Sequence, residues 1–249
     1  MSSSPSSAFF ATAPRGLEAL LLKELQALGA QDAAPVPGGV AFRGGWETCY
    51  RANLWSRIAS RVLWKAQDFA YRNEEELYAA TRAIAWPALF SVDRTLRVNM
   101  TAQKSPLKSL EFATLRVKDA VCDCFRDAAG KRPDVDRAAP DVRIHVFLEE
   151  TTGTVYLDTS GEPLFKRGWR AGGAGEAPLR ENLAAGIVLL TGWQPGEPFL
   201  DPMCGGGTIL AEAAAMARGR APSPPLPTAA CRRRTSDRAA AGRTSTPTA

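Results

Sequence analysis

The run Asp201-Pro202-Met203-Cys204-Gly205-Gly206-Gly207-Thr208 is the part of this 249-residue chain whose residue types and spacing point most directly to chemistry. Asp201 closes a short apolar run that begins at Phe199. Gly205 and Gly207 let the backbone turn tightly and let a ligand approach it closely. Thr208 opens a run of small and apolar residues that reads as a helix. A strand end, a glycine turn and a helix start leave the first N–H groups of the helix facing the turn, which suits nucleotides and nucleoside-like cofactors. A phosphate loop would place Lys before the Thr, but Gly207 stands there. A dinucleotide fingerprint would need Gly or Ala where Leu210 stands. Cys204 has no base identifiable beside it, so it is not read as a nucleophile.

A second candidate is basic. Lys104, Lys108, Arg116 and Lys118 surround the start of a helix expected at Ser109. Cations beside helix N–H groups suit an RNA phosphate, although a solvated helix face has the same composition. Arg132, Arg137, Arg167 and Arg170 are weaker candidates of the same kind. Cys122 and Cys124, two residues apart on a helix, cannot face one another, and no second pair or nearby His completes a metal site. The single histidine, His145, sits on a strand opposite the apolar face of Val142, Ile144 and Val146, with no Ser-His-Asp arrangement around it. No catalytic residue and no metal ligand is assigned.

The elements that must position these residues follow from periodicity. Residues 8–11 read as a strand. Pro14 suits a first helical turn, and Leu17, Leu20, Leu21, Leu25 and Leu28 follow helical spacing with Glu24 as one polar intruder, up to Gly29. Residues 35–39 read as a turn and 40–42 as a strand. Trp46, Tyr50, Leu54 and Ile58 recur every four residues on a second helix, and 62–69 form another strand. Asn73 caps a helix with Glu74, Glu75 and Glu76 in its first turn, and Trp86-Pro87 breaks it. Residues 95–103 alternate as a half-buried strand. Residues 109–128 form a helix with Leu115, Cys122 and Phe125 on its apolar side. Strands at 143–148 and 154–158 join at Thr152-Gly153. Gly172 to Gly175 reads as a hinge, 181–190 as a helix, and 199–201 as a strand entering the glycine turn. Intermixed helices and strands without a strict βαβ repeat favour an α+β fold.

The net charge of +5 belongs mostly to the end of the chain: residues 221–249, with five arginines and one aspartate, carry +4 and leave +1 for the rest. RNA affinity must therefore come from local patches. Residues 221–249 hold Leu226 and Cys231 as their only apolar residues apart from alanine, and are expected to be disordered. No run of about 18 apolar residues is present, so no membrane-spanning helix is expected. Five scattered cysteines suit reduced thiols in the cytoplasm better than a disulfide framework.

The Asp-Pro-x-Cys-Gly-x-Gly-Thr turn resembles the first motif of class I S-adenosylmethionine-dependent methyltransferases that act on exocyclic amines. Phe10-Ala11-Thr12-Ala13-Pro14-Arg15-Gly16-Leu17-Glu18, the segment Pro133 to Arg143, Arg167-Gly168-Trp169-Arg170 and Ala177 to Ala185 extend the likeness. They resemble the THUMP-domain methyltransferases of large-subunit ribosomal RNA, which modify guanine at N2. The resemblance covers residues 8 to about 220. It implies a ferredoxin-like region at 8–70, a THUMP RNA-binding region at 71–165, an incomplete Rossmann-like methyltransferase fragment at 166–220 and a tail at 221–249. It implies S-adenosylmethionine as cofactor, held by Asp201, Pro202, Cys204, Gly205, Gly207 and Thr208, with Asp201 near the ammonium group. Arg180, Glu181 and Asn182 correspond to a segment near that site. The partner implied is large-subunit ribosomal RNA, with no membrane and no metal.

Enzymes of this kind also use an acid after the second strand for the ribose hydroxyls and an Asn/Asp-Pro-Pro-Tyr-type motif after the fourth to align the target amine. Neither is found in this sequence. Ser223-Pro224-Pro225-Leu226 lies too soon after the glycine turn for three intervening strands. The expectation is therefore an RNA-binding N-terminal part of such an enzyme, inactive as this chain alone, whose reading frame shifts shortly after Arg220. The alternatives are a stand-alone THUMP RNA-binding module and a half-enzyme completed by a separate chain. Residues 8 to about 165 are expected to fold without the rest.

Overall fold

A computed structural model describes residues 6–167 and 179–222. They form two compact units, the first made of the described residues up to Leu63 together with those from Glu162 onward, the second running from Trp64 to Gly161.

In the first unit β1 (Ser7–Thr12) pairs antiparallel with β3 (Gly39–Gly44), Phe9 opposite Phe42, and their rings stack at 5.3 Å. A third strand, β2 (Gln31–Val36), pairs antiparallel with β3 across an irregularity between Gln31 and Ala34. The sequence reads 35–39 as a turn because of Pro35. The turn is at Pro37-Gly38, and β2 is an exposed edge strand, where a proline lacking its N–H is tolerated. Helix α1 (Glu18–Ala27) begins four residues after Pro14, which belongs to the preceding loop. In place of a side-chain cap on Leu17, the Glu18 carboxylate accepts from the N–H groups of Gly16 and Gly38 at 2.7 and 3.2 Å. Leu17, Leu21 and Leu25 are buried, and Gly29 stops the helix at φ +91°. Helix α2 (Trp46–Trp55) buries Cys49 and Ala52 rather than the aromatic row, and Ile58 is buried in the loop beyond it.

Strand β4 (Arg61–Ala70) runs from the first unit into the second. Helix α3 (Glu74–Arg82) is capped as expected, Asn73 Oδ1 accepting from Glu76 N at 2.9 Å. Trp86-Pro87 opens a separate short helix, α4 (Trp86–Leu89), with the proline in its first turn, and the buried Trp86 donates Nε1–H to Thr81 O at 2.9 Å. Strand β5 (Leu96–Ala102) lies parallel to β6 (Val142–Leu148), and β6 is antiparallel to β7 (Thr152–Asp158). Thr152 and Gly153 thus belong to β7 and the turn is the three residues before them. A parallel pair needs a crossover, supplied by α5 (Leu110–Ala129), which packs against α3 and β5. Ser109 Oγ caps α5 by accepting from Phe112 N at 3.2 Å. Its buried face is Ala113, Val117, Val121 and Phe125, whereas Leu115 is exposed. Ala113, Val117, Val121 and Phe125 join Trp86, Phe90, Ile144, Val146 and Leu157 in one core.

The described residues end with α6 (Glu181–Leu190) and α7 (Thr208–Ala217), which pack on each other within the first unit. Residues 199–201 are not a strand, and Leu200 is 86% exposed: no neighbouring strand pairs with this segment among the described residues. The expected hinge at Gly172 to Gly175 and the tail beyond residue 222 lie outside the described residues.

Candidate cofactor turn and its support

The glycine turn forms as the residue pattern requires. Gly205 and Gly207 have φ of +50° and +70°, and Gly207 N donates to Cys204 O at 2.7 Å. Asp201 accepts from Met203 N at 3.0 Å, fixing the approach. Gly207 is the N-cap of α7 and leads into Thr208, which is buried. Among the described residues, a Cβ placed on Gly205, Gly206 or Gly207 would meet nothing within 4 Å, so none of them covers the turn there. Asp201, Pro202, Cys204, Gly205, Gly207 and Thr208 are thus contiguous around one turn at the head of a helix, with Cys204 an exposed free thiol.

What holds that helix is a network of buried charge. Glu212, one helical turn after Thr208, is 2% exposed. Its carboxylate accepts from Arg167 Nη1 at both oxygens and from Arg57 Nη1 at 3.4 Å. Burial is the largest influence on Glu212 and raises its pKa, and the two guanidinium groups oppose it. Arg57 also donates to the main-chain oxygens of Ala215, at 3.4 Å, and Arg220, so a cation meets the carbonyl end of α7, where the helix dipole favours one. Arg167 Nη2 donates to Arg57 O at 2.8 Å.

The loop carrying Arg57 is itself pinned from beneath. Glu24 of α1 accepts from Ser56 Oγ at 2.7 Å and from the N–H groups of Arg57 and Ile58 at 3.2 Å each. Burial pushes the Glu24 carboxyl above its ordinary value. On the far side of the loop Asn182 of α6 donates to Ser60 Oγ at 2.9 Å and Ile58 O at 3.3 Å. Helix α6 comes so close to Leu17, the residue before α1, that a Cβ on Gly186 would lie 2.6 Å from Leu17 Cδ1. Residues 56–60 therefore seat both helices of the C-terminal segment.

In the second unit the four basic candidates divide. Lys104, whose φ is +59°, and Lys108 are exposed and have no ion pair among the described residues. Arg116 pairs with Glu75 at 2.8 Å and lies 4.4 Å over the Tyr78 ring, and Lys118 pairs with Asp119 at 2.9 Å. Phe112 is half exposed beside the helix start.

Three family descriptions match consecutive parts of the chain: the RlmL ferredoxin-like domain over residues 8–63, the THUMP domain over 71–158, and the RMKL-like methyltransferase domain over 167–241. The chain therefore carries, in order, a ferredoxin-like domain, a THUMP domain and a methyltransferase-like domain. A solved structure described as an N6-adenine-specific DNA methylase candidate from Listeria monocytogenes is 35% identical, with a TM-score of 0.79, over 88% of this chain and 57% of its own. The methyltransferase candidate SMU.472, solved with SAH, is 32% identical with a TM-score of 0.78 over 97% and 65%. TrmN from Thermus thermophilus is 26% identical with a TM-score of 0.66 over 86% and 62%. This chain thus spans about three fifths of the length of these chains.

Set on these domains, the cofactor candidates fall in the methyltransferase domain and the basic four in the THUMP domain. Arg167, a weak phosphate candidate by sequence, is buried and committed to Glu212; Arg170 lies outside the described residues. Arg132 faces Asp119 at 3.6 Å, and Arg137 is exposed. Asn182 faces residues 58–60 rather than the glycine turn, while Arg180 lies 5.3 Å over the Phe165 ring. His145 Nε2 is 3.6 Å from the buried Asp158. Cys122 is buried and Cys124 Sγ contacts Arg82 O; no group of ligating side chains able to hold a metal occurs among the described residues. No helix there is long and apolar enough to cross a membrane. Nothing in the residue pattern alone singles out Arg57 or pairs it with Glu212. The available signal was Glu212 as the one charge in an Ala-rich helix, the same polar-intruder pattern that Glu24 shows in α1.

Proposed function

We propose that this chain is the RNA-binding N-terminal part of a cytoplasmic, S-adenosylmethionine-dependent methyltransferase that acts on guanine N2 of large-subunit ribosomal RNA. The observation that carries the reading is the glycine turn at the head of α7, in one chain with a THUMP domain. The residues fit the cofactor: a backbone at Gly205 to Gly207 with no described side chain over its Cβ positions, and the Asp201 carboxylate four residues before it. Asp201 would meet the ammonium group of the methionine end. The N–H of Gly207 is used within the turn, which leaves those of Gly205 and Gly206 for the ligand. The cofactor supplies an electrophilic methyl group when bound. Lys104 and Lys108 place RNA by its phosphates, a contact that positions without reading sequence.

The sequence holds no Asn/Asp-Pro-Pro-Tyr motif, so nothing in this chain aligns an amine with that methyl group, and misplacement by about 1 Å can cost on the order of a hundredfold. We therefore propose that the chain alone transfers no methyl group. The same observation favours, as second reading, an RNA-binding module without enzymatic role. Isothermal titration with S-adenosylhomocysteine separates the two. The first reading expects saturable binding weakened by Asp201→Ala; no binding by a folded chain puts the module first.

A further inference from the structure

We propose that Arg57 and Arg167 are positioning residues for the cofactor turn: by clamping Glu212 they make the ferredoxin-like domain set the placement of α7, and with it the turn that α7 carries. Arg57 lies within the ferredoxin-like match and Glu212 within the methyltransferase match, 155 residues apart in sequence. Arg167 stands at the first residue of the methyltransferase match. Both partners of the central pair have side chains 3% exposed, so solvent does not screen it.

The geometry is directional. Glu212 anchors the N-terminal half of α7, while Arg57 takes the main-chain oxygens of Ala215 and Arg220 at its other end. One guanidinium therefore grips the helix at two places along its axis. The loop that presents it cannot shift freely, because Glu24 holds the N–H groups of Arg57 and Ile58 from α1. The path from α1 through residues 56–58 to Glu212 is a continuous series of charge-assisted hydrogen bonds, the stronger kind. It ends one helical turn from Thr208. Residues 202–206 are exposed, and the buried residue beside them is Thr208, at the head of α7. Its placement is therefore inherited from α7.

The role in cofactor placement rests on the cofactor reading, so the test separates the two. Amide hydrogen exchange is measured on the full chain and on Glu212→Gln and Arg57→Lys, each with and without S-adenosylhomocysteine. Without ligand, Glu212→Gln is expected to raise exchange at least tenfold in α7 and residues 204–208 while leaving β1, β3 and α1 unchanged. Arg57→Lys, which keeps the charge but not the two-point grip, should show a smaller rise in the same segment. With ligand, residues 204–208 gain protection in the wild-type chain and less in Glu212→Gln. Unchanged exchange in α7 overturns the clamp. A rise spread evenly over the first unit overturns it too, since that is what a general loss of stability produces. No ligand protection in the wild-type chain overturns the cofactor reading and the positioning role together, whatever the unliganded comparison shows.

Discussion

Glu212 holds both carboxylate oxygens against a single nitrogen of Arg167, with Nη1 donating to Oε1 at 2.7 Å and to Oε2 at 2.6 Å. Removing one partner leaves the other charge buried, and such losses cost about 3–5 kcal/mol. Arg167→Ala and Glu212→Ala should each destabilise the packing of α7 by that order, read as faster amide exchange in α7. Replacing Arg57, Arg167 and Glu212 together with Met, Met and Leu should recover most of the loss, because no charge is then stranded. A single variant whose α7 exchanges as in the wild-type chain would show that the pair is not buried in solution.

Glu24 predicts a pH dependence. Its folded pKa is raised, with burial as the largest cause, so the folded state binds its proton more readily than the unfolded chain does. Such a group contributes stability that is fully present below its unfolded pKa of about 4.3 and is lost as pH rises through the higher folded value. The stability of the wild-type chain minus that of Glu24→Gln should therefore fall as pH rises through that window. At neutral pH the variant still loses one of the hydrogen bonds that Ser56 Oγ, Arg57 N and Ile58 N donate to Glu24, because its amide cannot accept at both ends. A difference that is flat from acid to neutral pH, or that grows with pH, contradicts the raised value.

The basic patch should act unequally. Lys104 and Lys108 are unpaired among the described residues, while Arg116 and Lys118 already have carboxylate partners. Each phosphate contact contributes about 0.9 to the slope of log affinity against log salt on a duplex and about 0.7 on a single strand. Lys104→Ala with Lys108→Ala should lower the slope for structured ribosomal RNA by at most about two units. Arg116→Ala with Lys118→Ala should lower it less. Equal effects from the two pairs would mean that the ion pairs with Glu75 and Asp119 open on binding.

Much of this arrangement is legible in the sequence because it is local. Asn73 and Ser109 announce the starts of α3 and α5, the alternation in β5 and β6 assigns their faces, and Gly205 and Gly207 mark the turn before α7. The departures have a different origin. β2 is hidden by Pro35, whose missing N–H matters little on an edge, and Trp86-Pro87 opens a helix where it reads as a stop. The segment at 199–201 has the residues of a strand, but a strand exists only with a partner to pair with. The clamp was least legible of all. Nothing local ties Arg57 to Glu212, and a long-range ion pair leaves no periodic trace.

The most direct test of the whole account is methyl transfer by the chain alone. Purified chain is incubated with labelled S-adenosylmethionine and ribosomal RNA from an unmodified strain, and the RNA is digested to locate the label. The RNA should be bound in a salt-dependent way, with no guanine labelled above the protein-free control. Labelling at one specific guanine would contradict it, since this chain would then align an amine for transfer without the motif on which the reading of inactivity rests.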